Sequence, residues 1–426
     1  MTRLRLATAG TFRSLQHRNF RIFFITQGIS FTGTWVQLAA QTLLVYRLTD
    51  SGTALGLLTA IQFAPTLFLG AWAGVVIDRH DKRRLMVLTS SAMLAAAALL
   101  AVLVLTDHVT VAWVYLLAGV LGLANTFDNP ARRTLVNDLV PAEELVNAIG
   151  LNSTLVTSAR IVGPAVAGAL IATVGIGWCF ALNALSFVAV LLGLRAMDWA
   201  AMRATEPVPR AKGQLREGLR YAMSVDDLRI PLLLMAVVGT LSFNYVVLLP
   251  LLAERDLGGS DVTYTVLTAL FGVGSLIGSL RMARRAQVDA RFLGSSAIVL
   301  GLTSVGLAVA PTVAAAGAVL IVAGYAGINV LSGGNALLQI AVEPAMRGRV
   351  LALYTVVFLG STPIGGPIAG WIAERYGAPA GFLLAAVAAL AAGAVVLAFL
   401  RRRDAGAPVG VPVEPDLGLP PVPVAS

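Results

Sequence analysis

Few residues in this sequence have the types and spacing for bond-breaking chemistry. The three histidines, His17, His80 and His108, stand far apart, with no partners at metal-ligand spacing and no nucleophile elbow. Gly272-Val-Gly274 resembles the opening of a dinucleotide loop, but it lies inside an apolar run where no strand precedes it. No phosphate-binding loop is present. The single cysteine, Cys179, reads as a small buried apolar residue, and one thiol cannot form an internal disulfide. The chain is therefore not read as an enzyme, and no cofactor or metal is expected. What remains is electrostatic. One cluster runs Gly74-Val-Val-Ile-Asp78-Arg79-His80-Asp81-Lys82-Arg83-Arg84, and Arg160 stands alone inside an apolar run. Asp78 can face a helix N-terminus, and Arg79 can pair with a carboxylate, for which Asp128 is the candidate by position. The bland alternative is that the Lys and Arg residues only orient the chain.

The elements that position these charges follow from composition. Of 426 residues, 57% are hydrophobic and 12% charged, far from the quarter charged that soluble domains carry. The 42 Gly and 19 Pro are scattered among Leu, Val and Ala, so neither disorder nor a nucleic-acid surface fits. Twelve stretches of membrane-spanning length lie near 20–46, 54–77, 85–106, 111–127, 147–173, 178–197, 229–252, 262–281, 292–310, 313–340, 350–373 and 380–400. The basic arm before the first lacks a small-residue cleavage site, so that stretch is expected to remain in the mature protein. With alternate joints assigned to one side, 27 of the 31 Lys and Arg fall there, and only Arg47, Arg255 and Arg375 fall opposite. By the positive-inside rule both termini are then cytoplasmic, and the net charge of +9 orients the spans rather than recruiting an acidic partner.

The expected fold is all-α and polytopic, with 12 transmembrane helices as two six-helix pseudo-symmetric bundles. Residues 1–19 form a cytoplasmic arm, 20–197 and 229–400 the bundles, 198–228 a cytoplasmic linker able to lie on the membrane surface, and 401–426 a disordered tail. Gly70 and Gly74 recur as Gly274 and Gly278, and Gly163-Pro164 recurs as Gly366-Pro367. Val140-Pro-Ala is echoed by Pro344-Ala345. Such near-constant offsets mark a duplicated unit, the architecture of rocking transporters with a site at mid-membrane. The small-residue spacings themselves read first as helix packing.

The run from Gly74 to Arg84 resembles the signature loop of the major facilitator superfamily, with Asp81 where Gly is usual. The resemblance implies a conformational latch built on Gly74, Asp78, Arg79, Arg83 and Asp128. Gly150, Gly163-Pro164 and Gly168 resemble the antiporter motif of the superfamily's exporters, with Ala159 and Ala167 where Gly is usual. That motif implies export, although a packing kink at Pro164 without directional meaning is the competing reading. Asp128-Asn-Pro-Ala-Arg-Arg133, Leu139-Val-Pro-Ala-Glu-Glu144, Asn147-Ala148, Arg160-Ile-Val-Gly-Pro164, Arg347-Gly-Arg349 and the opening Leu15-Gln-His-Arg-Asn-Phe-Arg21 are similar to the branch holding the enterobactin exporter and macrolide-efflux proteins.

On this assignment all 22 acidic residues fall in joints, tails or span ends, and Arg160 is the only deep charge. A charge inside a bilayer is costly and persists for function or pairing. A cavity with one cation and no anion favours neutral or anionic amphipathic cargo, such as a siderophore or macrolide-like molecule. The alternative for Arg160 is a structural pair with Asp128 or with backbone carbonyls. In this fold the first, fourth, seventh and tenth helices face the cavity, which selects Gln37, Asn244, Tyr325 and Asn329. Asn152, Ser153 and Gln41 are further polar candidates, and each of these residues can instead be an interhelical hydrogen bond. The resemblance implies a monomer in the bacterial inner membrane, in contact with lipid and small-molecule substrate, driven by protons. An importer, a lysophospholipid flippase of similar build and a non-transporting scaffold are the other classes in play.

Overall fold

The computed structural model describes residues 12–200, 214–285, 288–343 and 346–406. The first part of the N-terminal arm, the linker segment 201–213, Pro344-Ala345 and the tail from 407 lie outside them. All regular elements among the described residues are helical: α1 Arg18–Thr49, α2 Gly52–Arg79, α3 Lys82–Leu105, α4 Val111–Leu139, α5 Leu145–Thr173, α6 Gly177–Ala196, α7 Gln214–Ser224, α8 Asp226–Leu241, α9 Tyr245–Leu251, α10 Asp261–Ala283, α11 Ala290–Ala308, α12 Val313–Ala341, α13 Arg347–Tyr376 and α14 Ala378–Gly406. Helices are the natural form for apolar runs, because lipid leaves backbone groups no partner outside their own segment. Their starts are capped by short polar side chains: Ser51, Asp81, Thr110, Asp289 and Thr312 each accept a backbone N–H of the first turn. Asp81 thus takes over the position where Gly is usual. It holds φ −59° and starts α3 through a bond from the Arg84 amide at 2.9 Å, so no glycine is required there.

Eleven helical stretches among the described residues are long and apolar enough to cross a membrane. α1, with 32 residues, is longer than most of them but is diluted by Gln27, Gln37, Gln41 and several threonines. Two expected spans differ from what is observed. The fourth, expected to end at 127, continues as helix to Leu139, because Pro130 sits within a run whose apolar face still packs. The seventh is broken: α8 stops at Leu241, α9 starts at Tyr245, and a π-turn covers Leu252–Asp256. At the break, Asn244 Nδ2 donates to the freed Thr240 carbonyl, and Ser242 Oγ ties the break to α14 by donating to the Ala385 carbonyl, both at 2.8 Å.

Helix packing repeats along the chain. α1 lies against α5 and α6, α2 against α4, and α3 against α4 and α6; correspondingly α8 lies against α13 and α14, α10 against α12, and α11 against α12 and α14. Glycine makes the tightest of these contacts possible. Gly122 of α4 rests on the α2 backbone at Gln62, and Gly324 of α12 rests on the α10 backbone at Phe271. Between the two sets the contact runs along two seams, α2 with α13 and α5 with α10, which the repeat makes equivalent. The linker helix α7 docks on the second set: Glu217 pairs with Arg349 at 2.8 Å, and Gly218 rests on the Arg349 side chain. A second apolar cluster, with Phe20, Phe23, Ile77, Met86 and Leu135, ties the basic ends of α1, α2, α3 and α4 together.

A Cβ at Gly324 would meet the Phe271 carbonyl and the Ser275 amide. Gly324→Ala is therefore expected to lower stability by about 1–3 kcal/mol, through overpacking. Gly150→Ala, where nothing lies within 4 Å, is expected to leave stability unchanged or raise it by up to about 1 kcal/mol. Thermal denaturation of the two variants in detergent checks the contrast.

Candidate functional site

At the basic end of the first set, the expected pairing of Arg79 with Asp128 is not the one found. Asp128 is 1% exposed and forms an ion pair with Arg132, one turn along α4 and itself 6% exposed. Thr89 of α3 donates to Asp128 Oδ1 at 2.8 Å, Arg132 also donates to Gln27 of α1, and its guanidinium lies 5.7 Å from the Phe31 ring centre. Arg79 is exposed. The Asp78 side chain lies outside the described part of the structure, and Gly74 is half-buried in α2. Lys82 pairs with Asp138 at 2.6 Å, and Arg83 stacks on Trp199 at 5.5 Å. Arg160 is thus not the only deep charge, and not every carboxylate sits at a span end. Hydropathy ends the fourth span one residue before Asp128, which hides the pair; its i,i+4 spacing is the available signal.

Arg160 does not pair with Asp128. Its guanidinium lies 5.2 Å from the ring centre of Trp35 on α1. Its Nε is enclosed, with no hydrogen-bond partner among the described residues. Toward the basic end, Gly150, Ser153, Thr154 and Thr157 precede Arg160 at helical spacing and share its face of α5. Ser153 and Thr154 are exposed, and Gly150 borders open space. All three hydroxyls donate to backbone carbonyls four residues back, at 2.8, 3.0 and 2.9 Å. Their hydrogens are therefore engaged within α5, and each oxygen keeps its acceptor capacity. The arrangement is a polar track that leads to one unpaired cation.

The other antiporter-like residues serve close packing. Gly163 admits Trp35, where a Cβ would overlap it, and Gly168 admits Thr265 of α10. Pro164 is buried within a continuous α5. Of the residues expected to face the cavity, Gln37 is 3% exposed and is turned toward α6, where Asn183 Nδ2 donates to its Oε1 at 2.6 Å. It is an interhelical tie. Asn244 is also buried and bonds within the break described above. Asn329 is buried, and Tyr325 is half-buried. Half-buried aromatics meet at the break instead: Phe243 packs edge-on against Phe358 of α13, with ring centres 5.6 Å apart.

The two seams, the broken seventh helix and the cation at the end of a polar track describe a membrane transporter. The fold agrees with that of solved transporters. A bacterial homologue of the human lysosomal transporter Spinster superposes with a TM-score of 0.68 at 16% identity, over 90% of this chain and 95% of that one. A POT family transporter in complex with a thioalcohol-conjugated peptide gives 0.72 at 10% identity, over 90% and 96%. The chain belongs to the transmembrane secretion effector family of the major facilitator superfamily, which matches residues 9–412. It is 25% identical to macrolide efflux protein A of Streptococcus pyogenes over 87% of its own length and 94% of that protein. It is 26% identical to the multidrug efflux pump Tap of Mycobacterium tuberculosis over 90% and 94%. The staphyloferrin A transporter of Staphylococcus aureus is 25% identical over 61% of this chain and 66% of that protein.

The Asp128–Arg132 pair makes a stability prediction. Arg132→Met leaves a buried carboxylate without its cation and is expected to cost about 3–5 kcal/mol, whereas the double variant Asp128→Leu/Arg132→Met loses much less. Melting temperatures of the three proteins check the order.

Proposed function

We propose that this protein is a secondary active exporter. It moves a small amphipathic molecule, neutral or anionic and of siderophore or macrolide-like type, out of the cytoplasm by alternating access, with protons as the coupling ion. The observation that carries the reading is the polar track on α5 ending at the unpaired Arg160. A cation that rests on the Trp35 ring and has no hydrogen-bond or carboxylate partner among the described residues is ready to receive an anionic or strongly dipolar group from a ligand. Trp35, Phe243 and Phe358 supply apolar surface for the rest of such a molecule. The buried Asp128 does not reverse this preference, since Arg132 already neutralises it.

In this reading α1 joins the eleven apolar stretches as the twelfth span, and 20–197 and 229–400 are the two six-helix bundles of a monomer. Both termini and the basic joints face the cytoplasm of a bacterial inner membrane, as the positive-inside rule directs. Gly74, Asp78, Arg79 and Arg83 latch the cytoplasmic side in the opposite conformation. An exposed Arg79, and an Asp128 engaged within its own set of helices, are in keeping with a latch that is open here. Export is supported by the efflux proteins among the relatives.

Everted membrane vesicles test direction and charge together. An imposed inward-acid pH gradient is expected to drive accumulation of an anionic amphipathic probe. Arg160→Gln is expected to reduce its uptake about tenfold, the scale of one charge-assisted hydrogen bond, and Arg160→Lys is expected to retain part of it. Unchanged uptake by Arg160→Gln at equal expression contradicts the role of Arg160, and flux that ignores the gradient contradicts proton coupling.

A further inference from the structure

The face opposite the basic joints holds its own set of contacts between the two halves. Five charged residues of that face, Arg47, Asp50, Arg255, Asp261 and Glu374, take part in contacts between the two halves. Arg47, in the last turn of α1, forms an ion pair with Asp261 at the start of α10, and its Nε also donates to Asp261 Oδ1 at 3.3 Å. Asp50, which ends α1 in a left-handed conformation with φ 46°, faces Arg255 of the π-turn at 3.6 Å. The two pairs have opposite polarity: cation on the first half in one, anion on the first half in the other. A sliding or rotated docking would bring like charges together, so the pattern fixes register as well as closure. A third contact adds to them. Glu374, in the last turn of α13, accepts from Ser51 Oγ and from the Thr53 amide, both at 2.8 Å. It thus caps the N-terminus of α2 from the other half, where the helix dipole favours a carboxylate.

Directly beneath these contacts the backbones touch. Gly52 lies on Gly370 and Gly56 on Gly366-Pro367. A Cβ at Gly52, Gly56 or Gly370 would collide with the facing backbone, and one at Gly366 would press on Thr59, so the seam is tight as far as the buried Thr59. The polar contacts sit at the rim of that seam and are partly exposed: Arg47 is 42% and Asp50 72% accessible. Exposed ion pairs are individually weak. Weakness suits a gate, which must close in one state and release in the next.

We propose that Arg47–Asp261 and Asp50–Arg255, with Glu374 on the α2 N-terminus, form a charge latch that holds this face shut and sets the resting conformation of the transporter. The proposal rests on transport by alternating access but not on the cargo or the direction of flux.

The test uses Thr59→Cys as a reporter in a Cys179→Ser background, with an impermeant maleimide supplied from this face. The reporter is expected to label slowly in the otherwise native chain, and faster in high salt, which screens the rim charges. Asp261→Arg places two cations together and is expected to raise the labelling rate roughly tenfold. The swap Arg47→Asp/Asp261→Arg is expected to restore slow labelling. Asp261→Asn gives a smaller increase and serves as a check that a charged first turn of α10 is not needed for folding, with melting measured on the same samples. Slow labelling in Asp261→Arg overturns the latch, and so does fast labelling in a swapped protein that melts normally. Either result can be read whether or not the protein exports anything, so failure of the latch and failure of the exporter reading are separate outcomes.

Discussion

The structure depends on close backbone contact along two equivalent seams, α2 with α13 and α5 with α10. In a bilayer, apolar side chains gain little by leaving lipid for one another, so helices associate through contacts only small residues permit. Gly52, Gly56, Gly366 and Gly370 bring α2 and α13 to backbone distance; between α5 and α10, Gly272 lies near the Arg160-Ile161 backbone and Gly168 admits the Thr265 side chain. On the basic side the contact gives way: Gly150 borders open space and Ser153 and Thr154 are exposed. A molecule closed at one end and open at the other follows from where its glycines fall.

The same placement positions the candidate site. Gly163 lets α5 approach α1 until Trp35 lies over the Arg160 guanidinium. The aromatic ring partly compensates the cation without neutralising it, and the turns of α5 that lead to it carry hydroxyls rather than apolar groups. The break between α8 and α9 performs a related service in the second half. It turns Phe243 toward Phe358, while Asn244 satisfies the freed Thr240 carbonyl and Ser242 bonds across to α14. Charge is used sparingly. Asp128 and Arg132 neutralise each other inside the first half, and the rim charges of the closed face pair across the two halves.

Much of this architecture is legible in the amino-acid order because it repeats. The near-constant offset of Gly70 and Gly274, and of Gly163-Pro164 and Gly366-Pro367, corresponds to helices with equivalent neighbours in the two sets. The lone cation at Arg160 is also legible, since an apolar run advertises any charge within it. Side-chain direction is not. Gln37 reads as a cavity residue from its depth in α1, but it points to Asn183 of α6, and helix rotation cannot be read from an apolar run with almost no amphipathic contrast. The Asp128–Arg132 pair was hidden by hydropathy, which ends a span at the first charge even when the helix continues to Leu139. The break at 242–244 has no glycine or proline to announce it.

The central claim is that two rigid halves rock about fixed seams, so that opening one face closes the other. Pulsed electron-electron distance measurements on two spin-label pairs test it most directly. One pair spans the closed face, at His108 and Pro311; the other spans the basic face, at His80 and Arg284; all four positions are exposed. Rocking predicts that adding cargo or a pH gradient populates a second state in which the first distance lengthens as the second shortens, in the same proportion of molecules. Distances that lengthen or shorten together, or a closed-face distance that never changes while transport proceeds, would contradict it.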